Sequence, residues 1–390
     1  MAAPPPPLID SHVHLYPASE AASLAWCPPE HPLHGQRSVA EYQQATAAAT
    51  AAATAPSLAG FVAVEADRTS ALDDPDLDLD PLHDPDRDSH HPPGWDAPLR
   101  EVAFLSRVAL GQPRPGEGHA AADARLCLAM IPWAPVPSGP ALLERYLERV
   151  EAAAGAAWPK VRGFRYLLQD KPHGTMLTDA FVDALKLLGR RGFVFEVAVD
   201  QHRRGKRQLD EVAEMIGRAH DGVADDAHKL TFILSLGHDG IDPELALATA
   251  SQPELAPDHL CKPDLAIYNV ASDPGFRAWR TAMYALSKAP RTYVKLSGGF
   301  AEMPDALRAQ PAAHVFRSVL AWLGVVLATF GPARIMFGSD WPVCTLGGLG
   351  DDAWPKWRDV VDKMCWMASL SDEERAMVFG GTARQAYGLG

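Results

Sequence analysis

The sequence predicts an α/β fold, a single distorted TIM (β/α)8 barrel over residues 1–390. Three observations predict it. Eight strand-like runs alternate with eight helix-like stretches, the pattern of a parallel sheet crossed over by helices. Several runs are near-continuously apolar (LCLAMIPW, FVFEVAV, RIMFG), as in strands covered on both faces. No second composition regime divides the chain, so all the units are assigned to one barrel.

The units follow in order. Run 8–14 leads to the amphipathic stretch 39–55, and run 60–65 to 99–110. Runs 126–133, 161–168 and 193–199 lead to 141–154, 179–190 and 208–220. Runs 230–235, 292–297 and 334–339 lead to 275–287, 312–330 and 354–367. Three segments read as decoration. The Ala/Thr run 45–55 is low in complexity but permits helix. The Asp/Pro/His run 73–93 cannot build a core and is expected to be a mobile surface loop. The stretch 236–257 reads as a long insertion after the sixth strand.

Composition narrows the function classes. Hydrophobic residues are 47% and charged residues 22% of the chain, ordinary for a globule with a sizeable core. The formal net charge is −13, which repels a phosphate backbone and argues against nucleic acid as a partner. The stretch 73–88 concentrates that charge, with eight Asp against Arg87. The apolar run 319–330 is about half of the ~20 residues a membrane span needs. The start, MAAPPPP, lacks the charged and apolar regions of a secretory signal. Five cysteines, an odd number without CxxC spacing, read as free thiols in a cytoplasmic protein. The oligomeric state stays open.

The sharpest chemical signal is Leu8-Ile-Asp-Ser-His-Val-His14. Residues two apart on a strand share a face, so His12 and His14 both point into the lumen. Two imidazoles there can bind one metal, or donate together to one developing oxyanion. Asp10 is expected on the same face, one step deeper, orienting an imidazole. The second signal is Ile335-Met-Phe-Gly-Ser-Asp-Trp-Pro342. Pro342 blocks continuation of the strand and places Asp340 at the rim of the last strand, beside the first. A third imidazole has two candidates, His259 in Asp258-His-Leu-Cys-Lys-Pro-Asp264 and His238 in Ser-Leu-Gly-His-Asp. Spacing favours His238, three residues beyond its strand.

Arg165 and Lys295 sit in otherwise apolar strands. A buried charge is costly unless paired. Each therefore either holds an anionic substrate or is ion-paired within the lumen, with Glu65 and Glu196 as the available partners. His202 reads as a loop residue. His83, His90 and His91 read as part of the solvated acidic loop. No GxSxG elbow supports Ser/His/Asp catalysis.

Six motifs in order, DSHVH, GFRYLLQ, HLCKPDL, VKLSGG, RIMFGSDWPV and FGGTARQAYGL, span the chain from Leu8 to Leu389. Together they resemble the amidohydrolase-related proteins of the "amidohydrolase 2" type. The branch is the one holding sugar lactonases and 2-pyrone-4,6-dicarboxylate lactonase. The resemblance implies a metal-dependent-hydrolase-like TIM barrel that opens a small lactone, carboxylated or derived from a sugar. It carries His12 and His14 over as the strand-one pair and Asp340 as the base that activates water. It nominates His259 over His238, although residues 236–257 separate the motif from its strand here, unlike in relatives. Two-metal members of the wider superfamily place a bridging Lys or Glu late in strand four, and Gly163-Phe-Arg-Tyr-Leu offers Arg165 instead. That leaves one zinc on His12, His14 and His259, or no metal, since members of both kinds are known.

The reading is a hydrolase in which Asp340 takes a proton from water while the histidine cluster polarises the carbonyl. Arg165 and Lys295 hold the substrate's anionic or hydroxyl groups. The alternatives are a non-oxidative decarboxylase of an aromatic acid, as in a sister branch, and a non-catalytic barrel that binds a small acid. His259→Ala is expected to lower lactone turnover by at least ~10²-fold, the cost of removing a transition-state donor. His238→Ala should do much less. Steady-state kinetics of the two variants checks this, and the reverse order assigns the site to His238.

Overall fold

Strand β1, Leu8–Val13, is buried at every position. It opens a series of parallel strands in chain order: β2 Leu58–Val64, β3 Cys127–Ile131, β4 Gly163–Leu167, β5 Val194–Ala198, β6 Thr231–Ser235, β7 Thr292–Leu296 and β8 Ile335–Phe337. The computed structural model describes residues 7–50, 57–70, 94–200, 204–235, 265, 270 and 272–390. The expected acidic loop 73–93 and the whole of the insertion 236–257 therefore lie outside the described residues.

Regular pairing runs β1-β2-β3 and β4-β5-β6-β7-β8. Two seams close the circle. Parallel bridges Met130↔Val161 and Trp133↔Arg165 join β3 to β4, and Val13↔Trp341 joins the end of β8 to β1. The result is the predicted eight-stranded barrel, distorted at those two seams. All eight predicted runs become strands, within a few residues at each end.

The crossover helices are α1 Val39–Thr50, α2 Asp96–Leu110, α3 Pro140–Ala154, α4 Asp179–Arg190, α5 Arg207–His220, α6 Pro274–Ser287, α7 Ala312–Phe330 and α8 Ala353–Met367. Local chemistry sets several ends. The Thr178 hydroxyl accepts from Phe181 N at the start of α4. Asp273 accepts from Phe276 N ahead of Pro274 at the start of α6. Helix α7 is long and apolar enough to cross a bilayer by length and composition. It packs Val315, Phe316, Val319, Trp322 and Val326 into the core instead.

Alternation along the strands builds two apolar layers. Leu8, Val13, Phe61, Ala63 and Met130 pack outward against the helices. Ile9, Val62, Val64, Ala129, Ile131, Val194, Ile233 and Met336 form a separate cluster inside the barrel. A terminal helix, α9 Thr382–Tyr387, closes that floor with Ala383, Ala386 and Tyr387.

One sequence expectation fails here. Asp10 does not share the lumen face with His12 and His14. The β1–β2 register slips between Asp10 and Val13, where three steps on β1 oppose the two steps from Phe61 to Ala63. This bulge sends Asp10 outward while His12 turns inward. The Asp10 carboxylate is fully buried among α1, α8 and the end of β8. Its Oδ2 accepts from Tyr42 Oη (3.0 Å) and Trp354 Nε1 (2.7 Å), and its Oδ1 from Ser339 N (2.8 Å) and His12 N (3.3 Å). Burial pushes its pKa up against the lowering effect of these donors. Trp354→Phe deletes one charge-assisted donor and is expected to destabilise the fold by ~1.5–3 kcal/mol. Urea denaturation measures it.

Candidate active site

The β1–β8 seam sets the geometry of the candidate site. Asp340 N donates to His12 O (2.9 Å), and His14 N donates to Trp341 O (2.8 Å). Asp340 itself adopts a left-handed backbone, φ 61°, a strained conformation that clusters at functional sites. Gly338 permits the approach, because a Cβ there would stand 2.9 Å from His12 Cβ. Three side chains from opposite ends of the sequence are thereby brought together at the C-terminal mouth, where barrels of this kind place their chemistry.

His12 Nε2 lies 3.1 Å from His14 Nε2. Asp340 Oδ1 lies 3.3 Å from His14 Nε2 and 3.7 Å from His12 Nε2. All three residues are buried. The protonation pattern of His14 follows from its neighbour. Its Nδ1 is 2.8 Å from Glu65 O, and a carbonyl only accepts, so Nδ1 carries the hydrogen. Nε2 is the nitrogen that His14 turns to the shared point.

This donor set fits a divalent cation. One ligand atom from each of His12, His14 and Asp340 lies within 4.8 Å of the others. Two imidazole nitrogens and a carboxylate oxygen are the ligands zinc prefers. The Glu65 carbonyl fixes the His14 tautomer that ligation requires.

Around the cluster the lumen is charged. Alternation from the apolar floor places Glu196 two residues past Val194, Ser235 two past Ile233, and Lys295 two past Tyr293. Arg165 Nε donates to Glu65 Oε1, and Arg165 Nη1 lies 3.4 Å from His12 Nε2. Lys295 Nζ donates to Glu196 Oε2 (2.7 Å) and lies 3.4 Å from His12 Nδ1. Glu65 and Glu196 are thus the partners of the two strand cations, as the sequence suggested. Both cations also face His12, so the pairing does not remove them from the site. His259 and His238 lie outside the described residues, as do His202, His83, His90 and His91. Cys27, Cys127, Cys344 and Cys365 are free and buried.

Sequence reasoning missed three members of the site's surroundings. Ser235 Oγ and Ser297 Oγ lie 3.1 and 3.5 Å from His12 Nδ1. The Tyr387 hydroxyl donates to Glu196 Oε1 (2.6 Å). The serines carry no pattern of their own, although lumen parity with Ile233 and Lys295 would have found them. Tyr387 was visible only as part of a terminal motif.

A closed eight-stranded α/β barrel with a His-x-His pair facing a carboxylate defines a TIM-barrel hydrolase. Residues 254–389 match the amidohydrolase family, Amidohydro_2. L-rhamnono-gamma-lactonase of Scheffersomyces stipitis is 29% identical over 388 residues, covering 98% of each chain. L-fucono-1,5-lactonase of Burkholderia multivorans is 30% identical over 296 residues, 74% of this chain and 77% of that protein. A crystal structure of a Burkholderia multivorans amidohydrolase with bound zinc superposes with a TM-score of 0.63 at 24% identity, covering 98% of this chain and 100% of that one. The chain belongs to the amidohydrolase family.

One buried acid behind the site is sensitive to pH. Glu101 accepts from Ala66 N (2.9 Å) and Arg68 Nε (3.3 Å) on the loop after β2. Burial raises its pKa to about 7; Arg68 opposes the rise and the charge of Glu65 adds to it. The folded state therefore binds this proton more tightly than the unfolded chain. The stabilisation it brings is complete below the ordinary carboxylate range and is lost as pH rises through about 7. Glu101→Gln should flatten the fall in melting temperature between pH 5 and pH 8. Thermal melts of both proteins across that range check it.

Proposed function

We propose that this protein hydrolyses a lactone of a sugar acid, yielding the open hydroxy acid. The convergence of His12, His14 and Asp340 at the C-terminal mouth carries the reading, because it sets an acceptor beside two imidazole nitrogens in a buried cluster. The two sugar-lactonase relatives supply the substrate class. The zinc bound in a barrel of the same fold supports a version of the site that holds a cation.

In this reading Asp340 accepts a proton from water as the water oxygen attacks the lactone carbonyl carbon. The ring C–O bond then breaks, and Asp340 returns the proton to the leaving ring oxygen. His12, His14 and Asp340 are the residues that would hold a zinc ion, which would supply Lewis-acid polarisation and a more acidic water. Arg165 lays a positive charge beside His12, where negative charge develops on the carbonyl oxygen. The buried Glu65 and Glu196 keep Arg165 and Lys295 in place without solvent. Burial strengthens each of these interactions relative to water.

The test is turnover on a panel of five- and six-membered sugar lactones, read by acid release. Asp340→Asn should lower kcat by ~10²–10⁴-fold, the range of a lost general base, with substrate still bound. Activity across the panel that matches the uncatalysed rate, or an unaffected Asp340→Asn, would overturn the reading.

A further inference from the structure

Four successive strands are each entered past a cation. Arg162 stands one residue before β4, Arg191 three before β5, Lys229 two before β6 and Arg291 one before β7. All four line one cavity of about 640 Å³ at the N-terminal end of the barrel. That volume lies within the range of small-molecule sites, roughly 300–1,000 Å³. The cavity opens at the end of the barrel away from His12, His14 and Asp340, and the apolar floor with α9 lies between the two ends.

The charge of this cavity runs against that of the chain, which is −13 overall. Two of the cations have acidic partners. Arg191 pairs with Glu144, and Lys229 Nζ lies 2.6 Å from Asp226 Oδ1. Both pairs are partly exposed, and pairs of that kind hold their members weakly. Arg162 and Arg291 pair with no carboxylate among the described residues. They are held by neutral groups instead. Arg162 Nη2 donates to Gly388 O (2.8 Å), and its Nε is buried without an acceptor. Arg291 Nη1 donates to Asp226 O (2.8 Å) and its Nε to Thr231 Oγ1 (3.2 Å). These bonds fix both guanidinium groups and leave their charge unneutralised. Arg291 also adopts a left-handed backbone, φ 58°, a strained conformation for a residue with a Cβ. A concave surface lined by one sign of charge concentrates ions of the other sign.

The placement of the cations sets the shape of the ligand. Adjacent strands lie about 4.8 Å apart, so β4 and β7 are separated by roughly 14 Å along the barrel wall. Arg162 is anchored to Gly388 at the β4 end, and Arg291 to Thr231 and Asp226 at the β6–β7 end. A ligand that engages both ends carries two anionic groups joined by a body. Guanidinium forks match phosphate oxygens two at a time. Tyr293 and Gln385 also line the cavity and offer a hydroxyl and an amide to a polyhydroxyl body.

We propose that this cavity is a second binding site, which takes a small sugar-like molecule with a phosphate at each end. Arg162 and Arg291 are its principal ligand-binding residues, and Arg191 and Lys229 add charge at its rim. The inference is independent of the lactonase reading, because it uses none of the residues at the C-terminal mouth.

Isothermal titration of the intact protein tests it, with fructose 1,6-bisphosphate, inorganic phosphate, citrate and free fructose as probes. The bisphosphate is expected to saturate a single site, at least about tenfold more tightly than inorganic phosphate or citrate. Loss of one charge-assisted hydrogen bond changes affinity by about tenfold or more, so Arg162→Gln and Arg291→Gln should each weaken the bisphosphate by that factor. No saturable binding of the bisphosphate overturns the proposal, as does wild-type affinity in both folded variants. Citrate binding as tightly as the bisphosphate overturns the assignment to phosphates. If either arginine variant does not fold, Arg191→Gln and Lys229→Gln at the exposed rim replace it and should weaken binding severalfold. Unchanged affinity in both of these overturns the proposal.

Discussion

The Asp10 carboxylate is the constraint on which the rest of the structure depends. It gathers four donors from α1, α8, β1 and the loop after β8. A barrel closes only if its first and last strands meet in one register, and here regular pairing has already lapsed at that seam. The seam is instead held by the Val13↔Trp341 bridge and by this buried anion. A buried carboxylate is tolerable only when its lone pairs are taken. Any shift of β8 along β1 strands Asp10 without Ser339, so the cost of burying the charge fixes the register. That register in turn sets the Asp340–His12–His14 spacing.

The lumen follows a second logic. Below, it is an apolar floor; above, it holds two buried ion pairs, Glu65–Arg165 and Glu196–Lys295. Such pairs add little net stability over an apolar core of the same shape, but breaking one partner costs ~3–5 kcal/mol. What they supply is position. Each cation is pinned by a carboxylate on one side and faces the same imidazole on the other. His12 thus sits among charged groups that buried ion pairs hold in place.

Much of this was legible in the sequence, for identifiable reasons. Buried parallel strands need apolar residues on both faces, so all eight stood out as runs. His12, His14 and Asp340 were readable because polar residues at the ends of such runs have few structural reasons to be there. The partners of Arg165 and Lys295 were readable because a buried cation needs an anion and only two lay in comparable strands. Asp10 was misplaced because strict alternation carries no signal for an inserted residue, and the β1 bulge reverses parity between Asp10 and His12. Ser235, Ser297 and Tyr387 matter through tertiary proximity alone. The choice between His259 and His238 lies beyond the described residues and rests on the motif.

The bond between Asp10 and Ser339 spans 329 residues. At ribosomal rates of ~5–20 residues per second, roughly 15–65 seconds separate the synthesis of its two halves. During that interval the nascent chain has both histidines and the buried aspartate but not Ser339, Asp340 or Trp354. The edge of β1 also lacks its neighbour, a template for wrong pairing. Vectorial synthesis therefore assigns the half-made barrel a vulnerable period that ends with the arrival of the β8 strand.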